Sequence, residues 1–372
     1  MGKLGVYIHI PFCIRKCNYC DFCSFPDKDG ELMREYCGEL CRRMRAFSEN
    51  KGRRAVDTVY FGGGTPSLLS TECFERLFEA LRECFLIDAD AEITVECNPA
   101  TVSRESLAAL RALGVNRLSI GLQSANENEL RTLGRLHSFE ELCESFELAR
   151  SVGFDNISLD LMYGIPEQTL ESFENSLLRV CELAPEHISA YGLKIEDGTA
   201  FGRMRDSLSL PNEDEEFAMY TLCRRVLEAH GYERYEISNF AKRGYESRHN
   251  MRYWKLDDYI GFGVAAHSSI DGERFGNSRD IAAFLRGEDI VEERYTVDAD
   301  EHRREYVMLG LQLGKGISDS EYREMCGRGL WDDMPMIEKF VTAGYLVRDG
   351  ERVAFSDEGF FVSNAILSEL LN

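Results

Sequence analysis

Cys13, Cys17 and Cys20 stand four and three residues apart in Tyr7-Ile8-His9-Ile10-Pro11-Phe12-Cys13-Ile14-Arg15-Lys16-Cys17-Asn18-Tyr19-Cys20. The apolar run before them reads as a strand, which places the thiols in the loop at its end. A loop can fold three thiolates onto one face of a metal cluster. A 4Fe-4S cube otherwise takes four cysteines, so three leave one iron open to a small molecule. Zinc is a competing chemistry: His9 or Cys23 would complete the four nitrogen or sulfur ligands of a structural site. No second Cys/His pair at zinc-finger spacing follows later in the chain. Free cysteine is also often a core residue, but Arg15, Lys16 and Asn18 deny this loop an apolar character.

The elements that must position these thiols follow a strand-loop-helix rhythm from Leu4 to about Leu227, the mark of parallel βα units. Strands are predicted at Leu4–Ile10, Asp57–Phe61, Glu92–Cys97, Arg117–Gly121, Asn156–Leu161 and His187–Tyr191. Helices are predicted near Glu31–Phe47, from Thr71, and after Ser103, a good N-cap. Six units imply an α/β fold, an open (β/α)6 partial TIM barrel over residues 1–230.

Barrels of this kind do their chemistry at the C-terminal ends of the strands. Strand two ends in Gly62-Gly63-Gly64-Thr65-Pro66, strand three in Glu96, strand four in Gln123-Ser124, strand five in Asp160 and strand six near Gly192. A glycine run is usually only a turn. Opposite a cluster it also lets backbone approach a ligand closely. Glu96 and Asp160 could be solvated or capping carboxylates, yet each sits in an otherwise apolar strand end, where a lone charge is costly without a partner.

Residues 231–290 read as a connecting region that carries His249-Asn250-Met251-Arg252-Tyr253-Trp254, and acidic Gly287-Glu-Asp-Ile-Val-Glu-Glu reads as a linker. Residues 300–372 read as short helices around a small hairpin, a winged-helix-like α+β domain.

Composition removes several classes. A formal charge of -22 argues against a nucleic-acid partner, which needs a basic patch. With 44% hydrophobic residues and no apolar run near the length of a membrane span, a globular chain without a membrane anchor is expected. Met1-Gly-Lys-Leu-Gly leads straight into a strand without a cleavage site, so cytoplasmic residence is expected. Thirteen cysteines then argue against a disulfide framework. Cys37, Cys41, Cys143, Cys181 and Cys223 lie in amphipathic stretches that mark them as core thiols.

Cys-x3-Cys-x2-Cys after a strand resembles the signature of the radical S-adenosylmethionine (SAM) enzymes. Tyr7-Ile-His-Ile-Pro-Phe-Cys and Cys20-Asp-Phe are similar to the branch that holds oxygen-independent coproporphyrinogen oxidase and the heme chaperones. The resemblance covers nearly the whole chain. It implies a 4Fe-4S cluster on Cys13, Cys17 and Cys20, with SAM chelated at the open iron. Gly63, Gly64 and Thr65 would meet the amino end of SAM, with Tyr7 and Phe22 flanking the site. Glu96, Asp160 and Gly192 would take further SAM contacts, and Gln123 and Arg135 match a glutamine and an arginine that serve a second SAM in the oxidase. One electron from a reductant then breaks the sulfonium bond, and the resulting radical abstracts hydrogen. His-Asn-x-x-Tyr-Trp matches a heme-chaperone motif, which implies heme as cargo with His249 as iron ligand and an acceptor protein as partner. The oxidase motif extends to a fourth cysteine two residues past the third; here that position is Phe22, and Cys23 is one residue late. The departure favours the chaperone over the oxidase, with a radical SAM enzyme acting on another tetrapyrrole or small molecule as a further alternative.

Overall fold

The structure, a computed structural model, describes residues 2–27 and 29–371. Six strands, β1 (Leu4–Ile10), β2 (Ala55–Gly63), β3 (Leu86–Cys97), β4 (Arg117–Gln123), β5 (Ile157–Tyr163) and β6 (His187–Gly192), pair in parallel in that order. Most of the intervening helices start on a side-chain cap. Ser70 accepts from Cys73 N–H, and Ser103, Ser138 and Thr169 each close a reciprocal capping box.

Alternation along the strands decides where the core and the site lie. In β4, Leu118, Ile120 and Leu122 are buried in the large core cluster, while Arg117, Ser119, Gly121 and Gln123 line one cavity inside the sheet's curve. The same phase holds in β5, where Leu159 and Leu161 are core and Asp160 and Met162 line the cavity. Burying one large aliphatic side chain contributes roughly 1.5–3 kcal/mol. The outward phase therefore drives folding and the inward phase is left for polar side chains.

The sheet does not close. β9 (Tyr259–Phe262) adds to β1 in parallel, followed by antiparallel β10 (His267–Ile270), β11 (Glu273–Asn277) and β12 (Val291–Thr296); at the other edge β8 (Asn239–Ala241) and β7 (Glu233–Arg234) add to β6. Residues 231–290 thus lengthen the barrel sheet on both sides. The acidic stretch read as a linker is not one: from Val291 it forms the edge strand β12, whose charged side chains are exposed. Charge on an edge strand discourages further strand addition, which explains a composition that otherwise suggests a tether.

Beyond it, the helix Ala299–Leu311 leads into a second core cluster with the three-stranded sheet β13 (Ile317–Ser318), β15 (Arg352–Phe355) and β14 (Leu346–Asp349). Helices flanking a small antiparallel sheet give the α+β module expected there. No helix among the described residues is long and apolar enough to cross a membrane.

Arg252 fastens the strand starts together. Its guanidinium pairs with Asp57 on β2 and donates to the carbonyls of Lys3 and Asp258 at 3.1 and 3.0 Å, and the arginine is buried. Arg252→Met leaves Asp57 uncompensated, a change that costs about 3–5 kcal/mol. A clear fall in the urea midpoint is expected, and a midpoint equal to wild type would show that the pair contributes nothing net.

Candidate functional site

The cysteine loop is closed at its base and tied down along its length. Phe25 N–H donates to Pro11 O at 2.7 Å and Cys13 N–H to Phe25 O at 3.3 Å. Asn18 is bound from both sides: its N–H meets Leu133 O at 2.9 Å, its Nδ2 meets Thr132 O at 2.8 Å, and its carbonyl accepts from Phe201 N–H at 2.9 Å. This fixes Cys17 and Cys20 against the C-terminal end of the helix Glu127–Leu133.

The result is a cavity of about 370 Å³ at the C-terminal end of the strands. Cys13, Cys17, Cys20, Phe22, Gly63, Gly64, Thr65, Glu96, Gln123, Arg135 and Asp160 all line it. The three thiols are half-buried, and Cys13 Sγ lies 3.5 Å from Thr65 Oγ1. Burial pushes the Cys13 and Cys20 thiols above the ordinary range. The bare thiolates are disfavoured there until a cationic centre compensates them. Among the described residues no three His, Cys, Asp or Glu side chains meet at the distance of one metal ion. A cube does not ask for that, because each thiolate binds a different iron.

Glycine is required at the facing edge. Gly63 has φ +116°, and a Cβ there would stand 2.6 Å from the His9 ring; a Cβ on Gly64 would stand 2.6 Å from Phe12 O. No other residue lets β2 lie so close to β1 and the start of the cysteine loop.

Glu96 accepts from Tyr60 OH at 2.9 Å and from Gly63 N–H at 3.0 Å. Desolvation inside the barrel nevertheless pushes its carboxyl up to about 7, and the hydrogen bonds only partly oppose this. Asp160 is also raised by burial, with Ser119 and Ser158 hydroxyls donating to it. Gln123 sits at φ +77°, beside a register shift between Gly121 and Gln123. That strained backbone turns its amide into the cavity, and strain of this kind gathers at ligand sites. Arg135 donates from Nη2 to Gly121 O at 2.6 Å and from Nη1 to Cys17 Sγ at 3.6 Å.

Three expected residues lie off the cavity wall. Tyr7 is turned into the strand layer, its hydroxyl on His9 Nδ1 at 2.9 Å and its ring stacked on Tyr60. Gly192 falls in the outward phase of β6, packed on the Tyr163 ring, and its neighbour Tyr191 faces the cavity instead. His249 is buried beneath the barrel, with Nδ1 2.9 Å from Thr58 Oγ1 and Nε2 2.8 Å from Tyr253 OH. Burial and the nearby Arg252 push its pKa down to about 3, so the ring is neutral, but both nitrogens are already bonded. Trp254 ends the same short helix, Arg248–Trp254.

Sequence reading passed over Arg117, Tyr60, Ser119, Ser189, Tyr191 and Asn250, all on the cavity wall. Their signal was available: each of the first five occupies the inward phase of its strand. A second cavity of about 590 Å³ lies on the far side of the His249 helix, lined by Arg248, Met251, Arg252 and Lys255.

The profile of the Radical SAM superfamily matches residues 7–180, and that of the HemN C-terminal domain matches residues 297–362. Coproporphyrinogen III oxidase (HemN) from Escherichia coli, a radical SAM enzyme, superposes with a TM-score of 0.87 at 25% identity over 98% of this chain and 89% of its own. The fold is that of a radical SAM protein. At the level of sequence, heme chaperone HemW of Bacillus subtilis (strain 168) is 36% identical across 99% of both chains, and that of Escherichia coli (strain K12) is 35% identical across 100% of this chain and 99% of its own. The mitochondrial radical S-adenosyl methionine domain-containing protein 1 of Bos taurus is 32% identical across 100% of this chain and 88% of its own. The chain belongs to the HemW family of heme chaperones within the radical SAM superfamily.

The raised carboxyl of Glu96 has a measurable consequence. Between the ordinary glutamate value of 4.5 and about 7 the folded protein holds a proton that the unfolded chain has released. Stability of the cofactor-free protein therefore falls as pH rises through that window and levels off above it. Glu236, also raised to about 7 by burial, adds to the same decline. Glu96→Gln is expected to flatten the urea midpoint against pH between 5 and 7, roughly the window set by that linkage. A slope identical to wild type would place the titration elsewhere.

Proposed function

We propose that this chain is a heme chaperone that holds a 4Fe-4S cluster on Cys13, Cys17 and Cys20 and SAM at its open iron, and passes heme to an acceptor protein. What supports it is end-to-end similarity to heme chaperones, 36% over 99% of both chains, in a protein whose three loop cysteines face one cavity. The donor set fits the cluster: three half-buried thiols on an anchored loop, with backbone bared at Gly63 and Gly64 opposite. When bound, cluster and SAM together supply one-electron chemistry that no side chain can.

The chain's own groups have separate tasks. Gly63, Gly64 and Thr65 offer backbone and a hydroxyl to the amino end of SAM, while Glu96, near its pKa at neutral pH, accepts from ammonium or hydroxyl groups. Asp160, Gln123 and Arg135 line the deeper wall and complete the enclosure, and Phe22 stands exposed at the mouth. A cavity of about 370 Å³ is at the small end for ligand pockets. Cluster and SAM occupy it, so heme takes another seat. Ligation by His249 requires Nε2 to leave Tyr253, with heme approaching that helix from outside the barrel. No nucleic acid is expected to compete, given the charge of -22.

Heme titration of the anaerobically reconstituted chain tests this reading. A shifted Soret band is expected for wild type and a weakened one for His249→Ala. Equal binding by His249→Ala removes the axial-ligand assignment, and no binding by wild type removes the chaperone. Incubation of the same sample with coproporphyrinogen III, SAM and a reductant is expected to give no protoporphyrinogen. Its appearance would rank the oxidase first.

A further inference from the structure

Arg135 is the one basic side chain among the described residues that hydrogen-bonds any of the three loop thiols. In the oxidase that the sequence resembles, the matching arginine serves a SAM carboxylate. Here the fork is divided: Nη2 is held by Gly121 O at 2.6 Å, and Nη1 points at Cys17 Sγ at 3.6 Å. The arginine is also held from behind. It follows Gly134, whose φ of +78° ends the helix, and a Cβ on Gly134 would touch Asn18, the residue that ties the loop to that helix. Loop, helix end and guanidinium therefore form one rigid unit around Cys17. Tyr19 lines the same cavity beside Cys17 and Arg135.

A guanidinium stays protonated at every accessible pH, so the thiolate of Cys17 has a permanent cation and an N–H donor beside it. Adding an electron to a thiolate-bound cluster adds negative charge, which such a neighbour stabilises more in the reduced than in the oxidised form. Hydrogen bonds to cluster sulfurs are a recognised control on potential.

We propose that Arg135 is a positioning residue of the cluster centre: Nη1 donates to the Cys17 thiolate, orients it, and raises the reduction potential of a cluster held by Cys13, Cys17 and Cys20. This rests on the cluster reading above. It differs from a role in carrying SAM, because it acts in the absence of SAM.

The test is a potentiometric titration, without SAM, of anaerobically reconstituted wild type, Arg135→Gln and Arg135→Lys, followed by the EPR signal of the dithionite-reduced cluster. With iron and sulfide content equal to wild type, Arg135→Gln is expected to have a more negative midpoint, and Arg135→Lys, which keeps charge but loses the fork, to fall between. A wild-type midpoint in a fully loaded Arg135→Gln overturns the proposal. A second measurement needs no variant to hold its cluster: wild type grown with nitrogen-15 arginine should show a nitrogen-15 coupling to the reduced cluster in pulsed EPR. Absence of that coupling in a loaded sample also overturns it. A wild type that takes up no iron and sulfide defeats the cluster reading itself, which is a different failure.

Discussion

The structure depends on the two-residue period of six parallel strands, which puts apolar side chains under the helices and polar ones in the lumen. Leu118, Ile120 and Leu122 of β4 are removed from water, at roughly 1.5–3 kcal/mol each. That is enough to offset the several kcal/mol that a buried ion such as Arg117 costs. The Arg117 Nε is enclosed without a hydrogen-bond partner among the described residues, and the carboxylates Glu92 and Asp160 answer the charge of its guanidinium. An ordinary barrel would fill the same positions with branched apolar residues. This one keeps hydroxyls, carboxylates and a cation along its axis, which is the arrangement a polar ligand requires.

The cysteine loop is the second requirement. Its three thiols come from one short segment, so their geometry is set by how the segment is fastened, not by the barrel directly. Asn18 does most of this with backbone and side chain together, joining the loop to Thr132 and Leu133 on one side and to Phe201 on the other. Two elements distant in sequence thereby hold the stretch from Cys17 to Cys20. The glycines of β2 complete the enclosure because they let backbone stand where side chains would block the approach.

Much of this was legible in the residue order. Every one of the six parallel strands was predicted near its place, since a run such as Leu4–Ile10 and a cap such as Ser103 are local signals. Strand ends were read short, as at Gly62-Gly63 and Gln123, because glycine and a positive φ look like the start of a turn when pairing partners are not visible. The cavity wall was legible where chemistry and position coincide, as for Glu96 and Asp160. It was not legible at Arg117, which begins its strand and reads as a solvated end until tertiary packing encloses it. Burial of His249 was hidden for the same reason: a polar motif on a short helix gives no sign that β2 and Tyr253 will cover both of its nitrogens. β12 was concealed by its own composition, since an edge strand whose side chains are almost all exposed needs few apolar residues.

His249 shows how the two halves of the molecule are joined. Besides its own cap, Ser247, the helix has Glu92, on β3, which receives the N–H groups of Arg248 and His249 at 3.0 and 2.9 Å. Thr58 on β2 then holds the imidazole, which stacks on Tyr60, whose hydroxyl donates to Glu96 at the cavity wall. The segment that carries the heme-chaperone motif is therefore part of the floor of the barrel whose mouth carries the cysteines. The motif helix and the cavity wall are thus linked through one short run of contacts, from Thr58 and the His249 ring through Tyr60 to Glu96.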